Sequence, residues 1–176
     1  MEVIHTNSFI DSILASHAAA IGADMEKYRN HVYRMYNFSL YFNKGEDAEL
    51  LAIAAAFHDI GIWTEKTFDY LEPSIKLATE YINTHPELYI SPEKLAQVID
   101  LHHKITRVKL NDTAEHFRRA DIADLTFGLI RFGMPKALYK EAKAVFPIKG
   151  FHWKLVKLTL KQLTVNPLKP LPMFKW

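Results

Sequence analysis

The sequence predicts an all-α fold, a single helical domain of about eight helices with its functional site at the centre, where side chains from facing helices converge. Three observations carry this. Apolar residues recur at three- and four-residue steps through most of the chain, the period of a helix with one buried face. Residues that start helices (Ser8, Asp24, Asp47, Ser91) precede those runs, and Gly or Pro follows them. No alternating stretch of useful strand length, internal repeat or glycine-rich phosphate loop interrupts the pattern.

Taken in order, Ser8 can cap a first helix to Ile21, stopped by Gly22. Asp24 caps a long helix from Met25 to Phe42, closed by Gly45, with Tyr28, His31, Met35, Phe38 and Phe42 on one face. Asp47 caps a third, Ala48 to Ile60, whose run Leu50 to Ala56 is apolar nearly all round and so reads as central. Ile62 to Leu71 is an aromatic and polar loop, placed to shape a pocket. Pro73 suits the start of a helix from Glu72 to Thr84, and Ser91-Pro92-Glu93 opens another whose stripe is Leu95, Val98, Ile99 and His102. Thr113 to Phe132 aligns Phe117, Asp121, Leu125, Gly128 and Phe132, with Asp121 the polar exception. Pro135 starts a short helix to Phe146, Pro147 and Gly150 mark a break, and Phe151 to Leu163 forms the last helix. The prolines at 167, 170 and 172 keep the following stretch extended, and the aromatic end, Met173 to Trp176, is expected to pack back. Residues 1–147 are thus expected to form the helical domain, and 148–176 a basic helix and Pro-rich tail on the same domain.

A chain of 176 residues with 49% hydrophobic content suffices for one substantial core. There are no cysteines, so any metal is held by His and carboxylates. With no secretory signal and no apolar run of spanning length, a soluble cytoplasmic protein is expected. The net charge of +2 hides a segregation, because all 20 acids lie at or before Glu141. Residues 142–176 carry seven lysines and no acid, which leaves an acidic body and a basic tail. Within that tail Lys154, Lys157 and Lys161 alternate with Trp153, Val156, Leu160 and Leu163. Such a helix permits contact with an anionic membrane surface or partner, although a terminal helix docked on the core is the plainer expectation. No stable nucleic-acid complex is expected.

Chemistry concentrates at Phe57-His58-Asp59-Ile60-Gly61. An imidazole nitrogen beside a carboxylate oxygen suits a borderline or hard divalent cation. An ionised Asp59 in so apolar a segment needs a cation or partner to offset its burial. Its plain alternative is helix-end polarity beside solvent. His31, on an apolar stripe, is either a hydrogen-bonded core histidine or a ligand. His102 points inward, and His103, rotated about 100° on a helix, is expected only as a neighbour.

The order His31…His58-Asp59…His102…Asp121 resembles the HD-domain superfamily of metal-dependent phosphohydrolases, over a span from His31 to Asp124. The resemblance implies a divalent metal held by His31, His58, Asp59 and Asp121, and hydrolysis of a phosphate ester or anhydride of a nucleotide-like small molecule. Nitrogen and oxygen ligands suit Mn, Fe, Co, Ni, Zn or Mg without choosing among them. The catalytic candidates are Asp59, Glu72, His102 and Arg118. Glu72 stands where two-metal relatives often place a His, so one tight metal is expected, with any second ion weak and dependent on His102 and Glu72. Glu72 otherwise orients a water, acts as a general base or merely complements a helix dipole. Arg118 either pairs with Asp121 or reaches a substrate phosphate. Two alternatives stay open: a two-iron oxygenase of the same fold, whose sixth ligand would have to be His85, and a non-catalytic, metal-stabilised binding module recruited through the basic tail.

Overall fold

A central helix buried nearly all round organises the molecule, and the computed structural model describes it together with the rest of residues 1–168 and 171–174. The regular elements among the described residues are all helices, with no strand among them. The first helix, α1 (Ser8–Ser16), is capped by Asn7 rather than Ser8: the Asn7 side-chain oxygen accepts from the amides of Phe9 and Ile10 at 3.0 and 3.2 Å. It stops before Ile21 because the Ser16 hydroxyl and His17 Nδ1 both bond the Ile13 carbonyl, at 2.8 and 2.9 Å, competing with the backbone ladder. The chain resumes as the single turn α2 (Ala18–Ile21).

The central helix is α3 (Met25–Phe42), with the bounds expected. Asn37 bonds Ile4 through both its amide groups, and Asn30 and Arg34 hold the carbonyls of Pro147 and Phe146, so α3 gathers the N-terminal segment and the break between the last two helices. Beside it lies α4 (Ala48–Phe57), apolar and buried as predicted but three residues shorter. Asp47 does not cap it. That residue is left-handed, and its carboxylate bonds Lys94 and Thr113, each at 2.7 Å. After Phe57 the chain tightens into i to i+3 bonds, Ile60 to Phe57 and Ile62 to Asp59, and so turns His58 and Asp59 toward α3.

Gly61 does not end a helix with a positive φ; it begins the short α5 (Gly61–Thr64) inside the expected loop. Its role is close approach, since a Cβ there would stand 2.6 Å from the Tyr70 carbonyl oxygen, and its amide donates to Ser74 at 3.0 Å. This contact seats α6 (Leu71–Asn83) against the turn. Next comes α7 (Pro92–Asp100), capped by Ser91, and then α8 (Asp112–Leu125), which packs broadly along α3.

The eighth helix ends seven residues before the predicted Phe132. Phe127 and Gly128 turn left-handed, and a Cβ at Gly128 would meet the Tyr139 ring at 2.9 Å. Leu129, Ile130 and Phe132 are consequently exposed instead of lying on a buried helix face. Two helices remain, α9 (Lys136–Val145) and α10 (Phe151–Val165). The inner face of α10 is Phe151, Leu155 and Leu158; the stripe Trp153, Val156, Leu160 and Leu163, expected to dock on the core, points outward. Met173 returns to the core, as the aromatic end predicted, while Lys169, Pro170, Lys175 and Trp176 lie outside the described residues.

Candidate metal centre

Three histidines are each fixed at one nitrogen so that the other faces the same buried space. His31 Nδ1 donates to Asp124 Oδ2 at 2.7 Å, His58 Nδ1 to the Ala55 carbonyl at 2.8 Å and His102 Nδ1 to the Ile99 carbonyl at 2.6 Å. These acceptors set the tautomers and leave every Nε2 turned inward. His31 comes from α3, His58 from the turn after α4, and His102 from the turn after α7.

Two carboxylates complete the cluster. Asp59 Oδ2 lies 3.7 Å from His31 Nε2 and 3.4 Å from His58 Nε2, and its Oδ1 lies 3.6 Å from His102 Nε2. Asp121 Oδ1 stands 4.0 Å from His31 Nε2. All of these side chains are buried. The structure therefore brings together His31, His58, Asp59, Asp121 and His102. Asp59 Oδ1, His102 Nε2 and Asp121 Oδ2 have no hydrogen-bond partner. Buried polar atoms normally find one, so three orphans pointing into one space mark it as incomplete by itself.

The contact between His31 Nε2 and His58 Nε2, at 3.0 Å, makes the same point. With both Nδ1 atoms already donating, two lone pairs would face each other unless a proton or a cation lies between them. Burial works against a charged His58, but Asp59 beside it outweighs burial and raises its pKa, so a proton can fill the gap. Burial lowers His31. Asp121 is raised, first by burial. The donor set fits a divalent cation: neutral imidazole nitrogens and carboxylate oxygens, from the group His31, His58, Asp121 and the group His58, Asp59, His102, lie within 4.8 Å of one another in each group.

The outer part of the centre was not legible in advance. Arg34 grips Asp124 through Nε at 2.5 Å and Nη2 at 2.8 Å, and so orients the carboxylate that holds His31. Burial alone would raise Asp124, but the Arg34 charge and hydrogen bonds hold it well below the usual carboxylate range. The ring of Phe151 stacks on His31 at 4.1 Å. A usable signal was present: Arg34 follows His31 by three residues, as Asp124 follows Asp121, so each helix offers two chemical groups on one face.

His103 is more than a neighbour. Because α7 ends at Asp100, His102 and His103 sit in a turn and the helical rotation between them does not apply. His103 Nδ1 lies 3.1 Å from Asp121 Oδ2, and its Nε2 meets the Tyr70 hydroxyl at 2.7 Å. Burial pushes its pKa down to about 4, which keeps the ring neutral at neutral pH. His102, His103 and Asp121 form a third group of donors within 4.8 Å.

Other predicted residues lie elsewhere. Glu72 is exposed and lines a groove with Glu65, Thr67, Asp69 and Lys76, because the first turn of α6 carries it outward while Ser74 faces Gly61. Arg118 does not pair with Asp121; its Nε and Nη2 hold Glu115 at 2.8 and 2.9 Å, and Nη1 reaches the Lys104 carbonyl at 3.3 Å. It supports the turn after His103. His85 bonds the Tyr81 carbonyl at 2.7 Å and stacks on that ring, so it is not among the clustered donors.

A cavity lies against the centre among the described residues. A cavity of ≈ 280 Å³ is floored by His102, His103 and Asp121 and walled by Lys104, Ile105, Ile122, Leu125, Thr126 and Phe174. Phe174 stacks on His103 with ring centroids 5.2 Å apart. Comparison of the chain with protein-family models, with curated proteins and with solved structures finds no match in any of the three.

Proposed function

We propose that the chain is a metal-dependent phosphohydrolase of the HD-domain type, acting on a phosphate ester or anhydride of a nucleotide-like small molecule. The observation that carries this reading is the convergence of His31, His58 and His102 Nε2 with the Asp59 and Asp121 carboxylates on one buried space that opens to a cavity. His31, His58, Asp59 and Asp121 would hold the cation. A divalent cation held by these residues would lower the pKa of a water and polarise a phosphoryl oxygen.

The chain's own residues supply the remainder. His102, anchored at Nδ1 by the Ile99 carbonyl, offers Nε2 as a hydrogen-bond or proton partner at the cavity floor. Ile105, Ile122, Leu125 and Phe174 give the cavity an apolar side that suits a flat base or similar group rather than a long polyphosphate. Asp124 and Arg34 hold His31 in place.

Glu72, exposed on another face, has no part in this scheme, and Arg118 acts by holding the turn at Lys104. The group His102, His103 and Asp121 favours a second, weaker ion, with His103 in the role expected of Glu72. His85 is not the sixth ligand that the oxygenase alternative expected, but His103 stands among the clustered donors in its place, so metal content and oxygen consumption decide between the two readings.

The test is elemental analysis of purified protein together with a hydrolysis screen over nucleotides and phosphate esters, with dissolved oxygen monitored. Hydrolysis that stops on chelation, returns with added divalent metal and leaves oxygen unchanged is expected. Two coupled irons per chain with oxygen consumption would replace this reading, and metal retention without any hydrolysis would leave the binding module.

A further inference from the structure

We propose that the outward face of α10, together with the 127–130 loop beside it, docks on an anionic lipid surface. The helix has two faces with separate tasks. Phe151, Leu155 and Leu158 fix it to the protein, and the opposite stripe is left in solvent: Trp153 is 61% exposed, Val156 44%, Leu160 56% and Leu163 40%. At a helical rotation of about 100° per residue these four fall within an arc of about 80°. Their apolar surface is continuous, not scattered singly, and on a soluble domain such a stripe marks a contact surface.

What borders the stripe identifies the occupant. On one side are Lys157 and Lys161, and no carboxylate among the described residues pairs with either. Lys157 leans over the Trp153 ring at 5.9 Å. Lys154 has another task, because it pairs with Asp24 and lies over Trp63 at 5.0 Å. On the other side Phe127 stacks on His152 at 4.2 Å and carries the apolar surface into the loop, where Leu129 is 84% exposed. No acid occurs anywhere from residue 142 onward.

An aliphatic and tryptophan ridge beside lysines is the pattern of a helix lying in a membrane interface, apolar side chains below and long basic stems reaching the headgroups. The inner face of α10 is anchored, so the helix presents its length parallel to such a surface. Among the described residues no helix is long and apolar enough to cross a membrane, which agrees with a contact on one face only.

The experiment uses the full chain and sedimentation with vesicles of phosphatidylcholine, with and without phosphatidylglycerol. Binding is expected to the anionic vesicles, at least tenfold weaker to the neutral ones, and weaker as salt is raised. Leu160→Glu, and separately Lys157→Glu with Lys161→Glu, should each reduce binding at least tenfold, with unchanged circular dichroism and melting temperature as evidence of an intact fold. Wild-type protein that stays in the supernatant overturns the proposal. So does equal binding to both vesicle types, binding unaffected by the substitutions, or a wild-type dimer in sedimentation velocity that Leu160→Glu converts to monomer.

Discussion

Asp121 and Asp124 stand one turn apart on α8 and are equally buried, yet they belong to two halves of the centre that differ in how they are satisfied. Around Asp124 the network is closed: Arg34 takes both carboxylate oxygens, His31 donates to one of them, and the acid is held ionised. Around Asp121 it is open. One oxygen has no hydrogen-bond partner, and burial, with Asp59 adding like charge nearby, raises the pKa. One residue type on one helix thus does two jobs, and the difference lies in what faces it. The closed half aims His31; the open half leaves electron pairs for a cation.

The largest expected effect comes from breaking the closed half. Arg34→Met removes the guanidinium that grips both oxygens of the buried Asp124, and loss of about 3–5 kcal/mol in denaturant unfolding is expected. A loss under about 1 kcal/mol would mean that Asp124 is satisfied by His31 alone.

Metal removal sharpens the contrast next. With free metal at a hundredfold excess over Kd, chelation should lower wild-type stability by about 2.7 kcal/mol and lower that of Asp59→Ala or Asp121→Asn by nothing, since neither would hold the ion. Without metal, Asp121→Asn should unfold no earlier than wild type, because an acid whose pKa is raised by folding opposes the folded state above that pKa. Metal retained by Asp59→Ala at wild-type stoichiometry would break the assignment.

Asp124→Asn tests how far the closed half serves the open one. It keeps the shape of the side chain but weakens the acceptor for His31, so metal affinity should fall about 10- to 100-fold in a competition titration. An unchanged affinity would confine Asp124 to stability.

The smallest effect is expected from Glu115, which secures the wall beyond His103. Burial raises this acid, but Arg118, the Val108 amide and Arg119 outweigh burial and bring it from 4.5 down to about 2. Its contribution is therefore complete above pH 4.5 and lost as pH falls toward 2. Glu115→Gln should be less stable than wild type near neutrality, with the difference shrinking as pH falls from 4.5 toward 2, so that its stability changes less across that acid window; a variant that still loses stability with the wild-type slope there would assign the acid limb to other groups.

By itself the sequence determined the all-helical class, the bounds of α3, and the His58-Asp59 turn with His31 and Asp121 on inward faces. These follow from short-range causes, helical period and the cost of burying ionised groups without partners. Capping was a weaker guide, since of Ser8, Asp24, Asp47 and Ser91 only Ser91 bonds the first turn of its helix, and Asp24 pairs with Lys27 and Lys154 and accepts from Trp63 instead. Tertiary structure alone decided that Asp124 meets Arg34 across 90 residues, that Arg118 turns to Glu115, that Glu72 points outward, and that α10 buries Phe151 instead of Trp153. Periodicity says which residues share a face but not which neighbour that face meets. On α10, where apolar residues lie on more than one side, the packing of Phe151 against His31, with Leu155 and Leu158 on the core, selects the inner face.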